Sequence, residues 1–465
     1  MSQAAGASFS RLASIAGPSH VLEDPSLLAP YAIDGVVPSS AVRPGTAVEA
    51  AEIVKLAAVE KLSLVPSGSR TKLAMGMPPQ KYDMALDLSR LDRIVAYDPG
   101  DLTLSVEAGA TLAGIGAALA AHGQFLPLAV PFQKSASIGG TLASGVDSPL
   151  RQFYGTARDF VLGMEFITGD GTIAKSGGRV VKNVTGYDLH KLMLGSMGTL
   201  GVMTQIHFRT FPLPRSPRAF VASFERPENA WQMRQAIAES PLRPLTLDIL
   251  LPGVPKLFAS SAASRRVDEP YDAQTLASAG WSVTVGFAGS DKVLDRYAAE
   301  LNRLAEQAGA ASAATLSEDR VPGAFGRKRE FIPIVLDASP ATVILKLSTL
   351  PSRMNDVLAN AGNLLAAEGV HWAAIARGAG VGYLALLPND RTEATGVKLA
   401  KLANQILETT AAAEGNATIL WCPSEWKSWM KIWGADRADF EQMKKLKAFF
   451  DPGGVFSPGR FVGGV

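Results

Sequence analysis

The chain has very little of the chemistry that binds metals or forms cross-links. Cys422 is the only cysteine among 465 residues, which excludes internal disulfides, a cysteine-rich zinc site and an iron–sulfur cluster held by this chain alone. No apolar run is long enough for a membrane span, and residues 1–18 lack the basic and apolar regions of a signal peptide. We therefore expect a cytoplasmic protein in a reducing compartment, which reaches the inner membrane only through a partner.

The chain also lacks a large excess of charge of either sign. Charged residues make up 19% of the chain, and 45 basic against 43 acidic side chains give a formal net charge of +2. Because no long run of either sign occurs, we expect neither nucleic acid nor an anionic membrane surface as a partner. Hydrophobic residues make up 47%, which is enough for large cores, and the length allows two to four domains.

The common nucleotide-binding signatures are absent as well. The pattern GxxxxGK[ST] does not occur, and no GxGxxG follows a strand and opens a helix, so a P-loop or a Rossmann site has no support. The string GAGVG at 378–382 precedes a strand pattern. We therefore do not expect it to bind a phosphate.

The hydrophobic pattern changes at about residue 215. Residues 41–73 are typical of strand, helix and strand, with Thr46 as the helix N-cap and Glu49 three residues later. Beyond the change, long amphipathic helices alternate with strands. The helices predicted there are 227–239, 292–308, 351–368, 391–413 and, in the tail, 440–450.

These patterns predict an α+β fold with two lobes. The first lobe is 1–215, a cap or substrate domain spans 216–420, and the C-terminal segment 421–465 returns to the first lobe. Residues 131–162 show no sustained period. A loop of this length inside a compact domain is usually functional.

Three segments of the first lobe are rich in small residues: Pro66–Lys72 (PSGSRTK), Ser137–Gly145 (SIGGTLASG) and Gly177–Val202, which holds six glycines in 26 residues. A loop without β-carbons lets backbone N–H groups converge on anionic oxygens, and hydroxyl groups can add donors. Any one of them fits a plain turn. Together they predict an extended groove for a large ligand that carries phosphate groups.

The same segments resemble a known family. The matching strings are VPSGSRT, SIGGTLASG, YGTARDFVLGMEFITGDGTI, GGRVVKNVTGYDLHKLMLGSMGTLGVMT and the final FDPGGVFSPGRF. They resemble the flavoproteins with a vanillyl-alcohol-oxidase-type, or PCMH-type, FAD-binding domain, and among these the FAD-binding subunits of bacterial glycolate oxidases. The resemblance is dense over 30–215 and clear over the last 15 residues, and it is loose between them.

The resemblance implies FAD as the cofactor. Relatives with covalent flavin often carry a histidine in the first loop, where this chain has Ser69-Arg70-Thr71, so noncovalent FAD is implied. The residues that the resemblance assigns to FAD are Pro66, Ser67, Gly68, Ser69, Arg70, Thr71, Pro131, Ser137, Ile138, Gly139, Gly140, Thr141, Ala143, Ser144, Gly145, Tyr154, Gly155, Arg158, Gly186, Gly198, Gly201 and Val202.

Catalytic residues are expected in the second lobe. Dehydrogenation of a 2-hydroxy acid needs a cation for the carboxylate and a base near the hydroxyl group. The candidates are Arg329, Lys346, His371 and Arg377, of which Lys346 interrupts the apolar strand VILKLS and needs a partner there. The His-rich metal motif with Gly-Asp-Gly-Asn of the single-chain dehydrogenases is absent, and Met197 replaces their acidic residue. We therefore expect no metal.

Three functions remain open at this point. The chain could be the FAD-binding subunit of a glycolate oxidase complex that passes electrons from a small 2-hydroxy acid (glycolate or D-lactate class) to an iron–sulfur partner, alongside a partner flavin subunit. It could be a stand-alone FAD-dependent D-2-hydroxy-acid dehydrogenase or oxidase. It could also be a structural subunit whose FAD is redox-silent.

Overall fold

The computed structural model describes residues 3–179, 186–265, 267, 280–435 and 437–465. The chain opens with a four-stranded sheet in the order β1-β2-β4-β3, in which β2, β4 and β3 run parallel and β1 is antiparallel to β2. Its elements are α1 (Gln3–Ala16), β1 (Val21–Leu22), α2 (Pro25–Leu28), β2 (Ser40–Val42), α3 (Ala47–Glu60), β3 (Leu64–Ser67) and β4 (Met84–Asp87).

A five-stranded antiparallel sheet follows, in the order β5-β6-β10-β8-β9. The strands β7 and β11 form a separate pair. The elements are β5 (Ile94–Asp98), β6 (Thr103–Glu107), α4 (Leu112–Ala120), β7 (Gln124–Phe125), α5 (Ile138–Ser144), α6 (Arg151–Tyr154), α7 (Ala157–Phe160), β8 (Val161–Ile167), β9 (Ile173–Gly177), α8 (His190–Met193), β10 (Val202–Arg209) and β11 (Phe211–Pro212). Both sheets share one hydrophobic core.

The second half of the chain builds an eight-stranded antiparallel sheet, ordered β15-β12-β14-β13-β17-β18-β16-β19. Its elements are β12 (Arg218–Phe224), α9 (Pro227–Glu239), β13 (Thr246–Leu250), α10 (Val254–Ser260), α11 (Ala262–Arg265), β14 (Trp281–Phe287), α12 (Asp291–Gln307), β15 (Ser312–Thr315), α13 (Val321–Arg329), α14 (Phe331–Ala338), β16 (Val343–Ser348), α15 (Met354–Ala367), β17 (Trp372–Arg377), β18 (Val381–Leu386), α16 (Glu393–Ala412) and β19 (Asn416–Trp421). The tail adds α17 (Phe440–Phe450).

The two faces of the cap sheet have different neighbours. Helices α9, α12, α15 and α16 cover one face and form the largest core cluster. The other face packs against α10, α13, α14 and residues of the first domain, among them Met75 and Val146. This second face is the side of the sheet on which the two domains meet.

The predicted helices agree with the structure within three residues at each end, and α9 and α17 agree at both ends. Thr46 is the N-cap of α3 and accepts a hydrogen bond from Glu49 N (3.1 Å), although the Glu49 carboxylate turns to Gly45 N (2.7 Å) instead of closing a capping box. The stretch 131–162 differs from the expectation of an unbroken loop because it holds α5, α6 and α7. Helices of four to seven residues are too short to show a period in the sequence.

The C-terminal segment runs back to the first sheet. Leu64 N donates to Val455 O and Ser457 N donates to Leu64 O, both at 2.7 Å. Beside this contact, the buried Lys427 Nζ donates to Asp34 Oδ2 (2.7 Å) and to the carbonyl oxygens of Ala74 and Gly76. The tail therefore fixes the chain that follows β3. No helix of the described residues has both the length and the apolarity to cross a bilayer.

Candidate functional site

The three segments of small residues meet in the first domain. A β-carbon built on Gly68 would lie 2.1 Å from Ser137 Oγ, so glycine is required for the first two segments to approach. The third segment docks on the end of α5, where Gly195 N donates to Leu142 O (2.8 Å) and Met197 N to Ala143 O (2.9 Å). Residues 180–185 of the third segment lie outside the described residues.

A groove runs along this junction, and we call it the cradle. Two adjoining cavities form it, and twelve of the residues assigned to FAD from the sequence line them: Pro66, Ser67, Gly68, Arg70, Thr71, Ser137, Gly139, Gly140, Ala143, Ser144, Gly198 and Gly201. Residues that the sequence did not assign complete the lining, namely Lys72, Leu73, Leu88, Ala108, Met197, Met203 and Arg460.

The cradle presents polar groups that the fold leaves unsatisfied. Ser67 Oγ is buried and has no hydrogen-bond partner among the described residues. A buried hydroxyl group of this kind costs free energy unless a ligand or water binds it. Gly140 is exposed along the cradle, and a side chain there would reach into the space beside Ser137 Oγ. These features fit an elongated polar ligand such as FAD.

Not every backbone donor expected at the cradle is available. Ile138 N donates to Ala110 O and Gly139 N to Ala108 O, both at 2.8 Å. These two N–H groups therefore hold α5 against the segment that follows β6 and do not point at a ligand. Side-chain hydroxyl groups and cations carry more of the polarity of the cradle than the sequence indicated.

Three cations border the cradle. Arg70, whose φ of 60° is unusual for a residue with a β-carbon, pairs with Asp87 at 2.9 Å. Arg460 donates to the carbonyl oxygens of Leu73 and Met75, and burial lowers its pKa to about 10. Burial likewise lowers the pKa of Lys72 to about 8, against the attraction of Glu330. Lys72 therefore loses its charge at a lower pH than an exposed lysine does.

Six residues assigned to FAD from the sequence line neither the cradle nor the interdomain cavity described next: Ser69, Pro131, Ile138, Tyr154, Gly186 and Val202. Ile138 and Val202 are core residues with no exposed surface. Tyr154 packs edge-on against Phe125 and Phe211. Ile138, Val202 and Tyr154 therefore contribute to packing, whereas Gly186 is exposed.

Apart from the cradle, a cavity of about 310 Å³ lies between the two domains, and we call it the interdomain cavity. Four of the residues assigned to FAD line it, namely Thr141, Gly145, Gly155 and Arg158, together with Asp147, Arg151, Lys191 and, from β16 of the cap, Lys346. Lys346 Nζ donates to Gly145 O at 3.2 Å, and Asp147 N donates to Tyr383 Oη at 3.2 Å. Basic side chains outnumber acidic ones around this space.

Arg377 lies in a different place, inside a buried ionic cluster. Asp248 Oδ1 accepts from Arg377 Nη1 at 3.0 Å, and Asp248 Oδ2 accepts from Lys328 Nζ at 2.8 Å. Burial works to raise the pKa of Asp248, but the two adjacent cations hold it below its usual value. The cluster joins β13, β17 and α13, so the charge of Arg377 serves the fold.

Arg329 and His371 are separated from the interdomain cavity. Arg329 Nε donates to Glu330 Oε1 (3.1 Å), and the Glu330 carboxylate accepts from Phe132 N and Gln133 N of the first domain. Arg329 lines a different, mostly apolar cavity of about 390 Å³. His371 is exposed before β17, about 20 Å along the strand from Arg377. The four predicted catalytic residues therefore do not form one site.

The structure also places residues that the sequence did not single out. Asp147 lies two residues after the second small-residue segment, Lys72 ends the first segment, and Arg460 belongs to the final motif SPGRF. Their position beside the recognised strings was the available signal. Lys427 had no such signal, because its three acceptors lie more than 350 residues away in the chain.

Comparisons with known proteins find matches in both halves of the chain. The FAD binding domain model matches residues 38–177, and the C-terminal domain of FAD linked oxidases matches 213–419. Glycolate oxidase subunit GlcE of Escherichia coli K12 is 40% identical over 185 residues, which are 40% of this chain and 51% of that protein. Glycolate oxidase subunit GlcD of Bacillus subtilis is 25% identical over 403 residues, 85% of this chain and 83% of that protein.

The chain thus spans about half of the first relative and most of the second. Among solved structures, p-cresol methylhydroxylase with substrate bound has the same fold, with a TM-score of 0.77, 17% identity, and coverage of 99% of this chain and 97% of that one. The chain therefore joins an FAD binding domain to the C-terminal domain of the FAD linked oxidases, in the fold of p-cresol methylhydroxylase.

Proposed function

We propose that the protein oxidises a small 2-hydroxy acid of the glycolate or D-lactate class, as the FAD-binding subunit of a glycolate oxidase complex. The observation that carries this proposal is the cradle, in which three separated segments form one groove. Residues of α5 line both this groove and a cavity rich in cations. The two relatives described above are both named as glycolate oxidase subunits. A cationic cavity next to a flavin site suits a substrate that is a carboxylate.

The cofactor is proposed to be noncovalent FAD. Ser67, Gly140 and the cations around them would hold it, and the bound flavin would supply the hydride acceptor of the reaction. All five histidines of the chain lie among the described residues, and none lines the cradle or the interdomain cavity. Burial raises the pKa of the Cys422 thiol to about 12, so it is a poor nucleophile.

Of the four residues predicted to act in catalysis, we retain Lys346 as the residue that binds the substrate carboxylate. It is the one that lies on the interdomain cavity. Arg377 is proposed instead to hold β13, β17 and α13 together through Asp248. Arg329 and His371 are not proposed to touch the substrate, because neither lines the interdomain cavity.

The electron acceptor is proposed to be an iron–sulfur subunit, in a complex that also holds a second flavin subunit. A chain with one cysteine cannot itself supply the ligands of such a cluster. Electrons removed from the substrate would therefore leave this chain for a partner.

Visible absorbance spectroscopy of the purified protein tests the proposal. We expect flavin bands that are lost when the protein is denatured and filtered, and bleaching of these bands by glycolate or D-lactate in the assembled complex. Bleaching by the isolated chain would favour the stand-alone dehydrogenase. A colourless protein whose thermal stability ignores added FAD would contradict the proposal.

A further inference from the structure

We infer that the interdomain cavity is the substrate site, in which Lys346 binds the carboxylate of the 2-hydroxy acid and Asp147 accepts the proton of its hydroxyl group. The inference rests on the proposed function and extends it to particular atoms. It assigns a role to Asp147, which lies in the first domain, and to a cavity that the cap closes.

Polar atoms that lack partners indicate that the cavity is built for a ligand. Asp147 Oδ2 and Thr141 Oγ1 are both buried and have no hydrogen-bond partner among the described residues. Among the described residues, Lys346 Nζ donates only to the carbonyl oxygen of Gly145, although an ammonium group can donate three hydrogen bonds. A dry protein interior would not keep these three groups unsatisfied around one space.

Lys346 is suited to a carboxylate because it forms no ion pair with any described residue. The carboxylate of Asp147 is paired with Arg151 at 3.3 Å through Oδ1, and the ammonium group of Lys191 is paired with Asp188 at 2.7 Å. Burial lowers the pKa of Lys346, against the attraction of Asp147. An anionic ligand would restore the solvation that this lysine lost on folding.

Asp147 is suited to accept a proton because its two oxygen atoms differ. Arg151 occupies Oδ1, whereas Oδ2 is buried and free to accept from a hydroxyl group. The backbone N–H of Asp147 donates to Tyr383 Oη, and Tyr383 lies opposite Lys346 in the register of β18 and β16. Tyr383, which accepts a hydrogen bond from Asp147, is therefore the cross-strand neighbour of Lys346.

The chemistry balances with these groups and the bound cofactor. Oxidation of a 2-hydroxy acid to a 2-oxo acid breaks the C2–H bond and the O–H bond. When FAD is bound, its flavin would supply the acceptor for the hydride and its two electrons, and the proton passes to Asp147 Oδ2 as the C–O bond becomes C=O. A carboxylate placed within hydrogen-bond reach of the hydroxyl group is the usual requirement for such a base.

Four variants of the holoprotein test the inference: Lys346→Met and Asp147→Asn, with Lys398→Met and Asp356→Asn as matched controls on exposed positions of α16 and α15. Oxalate is the binding probe, because it resembles the substrate but has no C–H bond to oxidise. Titration calorimetry measures its affinity, stopped-flow absorbance measures flavin reduction by glycolate and D-lactate, and the visible spectrum measures bound FAD.

We expect Lys346→Met to keep FAD and to bind oxalate about 10- to 100-fold more weakly, the loss typical of a charge-assisted hydrogen bond. Asp147→Asn is expected to bind oxalate within about threefold of the unmodified protein, and to slow flavin reduction by about 10²- to 10⁴-fold. The two control variants are expected to match the unmodified protein in both measurements.

Unchanged oxalate affinity in Lys346→Met, or an unchanged reduction rate in Asp147→Asn, would overturn the inference. So would loss of FAD instead of oxalate affinity in Lys346→Met, because the cavity would then belong to the cofactor. If no 2-hydroxy acid reduces the unmodified flavin while oxalate binding still depends on Lys346, the proposed function fails and the anion site stands.

Discussion

Lys346 and Arg377 are two cations on the same face of the cap sheet, and the fold treats them differently. The register places Lys346 opposite Tyr383, and Tyr383 opposite Ile375, two residues before Arg377. The charge of Arg377 is balanced by Asp248 within the sheet. Lys346 meets one carbonyl oxygen and an open cavity. A charge that serves the fold has its partner in the fold, whereas a charge that serves a ligand is left without one.

The cradle extends this comparison to groups without charge. Among the variants considered, Gly140→Val should have the largest effect, because it blocks ligand binding in the cradle. The isopropyl group would fill the exposed groove beside Ser137 Oγ. We expect purified protein without FAD, a loss of affinity of at least about 100-fold. FAD fluorescence titration of the refolded protein measures it.

Gly116→Val is the matched control for this substitution. A β-carbon at Gly116 meets no atom within 4 Å, and the residue lies on the exposed side of α4. We expect it to bind FAD normally. Stoichiometric FAD in Gly140→Val would show that the ligand does not lie along this groove.

Asp248→Asn should produce the next largest effect, on stability instead of binding. It removes the one carboxylate that Lys328 and Arg377 share and leaves two buried cations without compensation. We expect the free energy of unfolding of the FAD-free protein to fall by about 3–5 kcal/mol, measured by urea denaturation.

Lys346→Met sharpens this result by contrast. It should change the free energy of unfolding by less than about 1 kcal/mol, because the lysine has almost no partner to lose and methionine fills its volume. Equal losses in Asp248→Asn and Lys346→Met would remove the distinction between the two cations.

The same distinction explains what the sequence could predict. Helices such as α9 and α17 follow from their apolar period, and the segments of the cradle follow from their small residues, because both signals are local. Lys346 was also visible, since a cation inside an apolar strand needs a reason. Arg377 was also a candidate from the sequence, although a less attractive one than Lys346.

A tertiary contact distinguishes Arg377 from Lys346. Asp248 is 129 residues from Arg377 in the chain, and pairing between distant residues leaves no periodic trace. The same limit applies to Lys427 and to Asp147, whose neighbours come from other domains or distant segments. Sequence patterns therefore identify polar residues that need partners, and only the fold shows which of them have found one.

The pH dependence of FAD binding tests Lys72, a cation of intermediate kind that lines the cradle and donates to Thr71 Oγ1. Its pKa is lowered to about 8 by burial. The ammonium group is therefore present below pH 8 and lost above it. We expect FAD affinity to fall above about pH 8 by up to about tenfold per pH unit, and Lys72→Met to abolish that slope in fluorescence titrations.

The pH dependence of the free energy of unfolding has the opposite sign. Between the folded pKa of about 8 and the higher pKa of an unfolded lysine, the unfolded chain binds more protons, so the FAD-free protein should become more stable as the pH rises through this window. The prediction is contradicted if the FAD affinity of the unmodified protein does not change with pH and Lys72→Met leaves the free energy of unfolding unchanged. Lys72 would then lie outside the cofactor site.

The smallest effect compares one substitution at two buried hydroxyl groups. Thr141 Oγ1 has no partner among the described residues, whereas Thr342 Oγ1 donates to Val335 O at 2.8 Å. Without ligand, Thr141→Val should stabilise the protein by up to about 1 kcal/mol, because it removes a buried polar group that is unsatisfied. Thr342→Val should destabilise it by about 1–2 kcal/mol, because it leaves a carbonyl oxygen without its donor. Urea denaturation of both variants measures the difference, and destabilisation of similar size at both positions would mean that the hydroxyl group of Thr141 is already satisfied without a ligand.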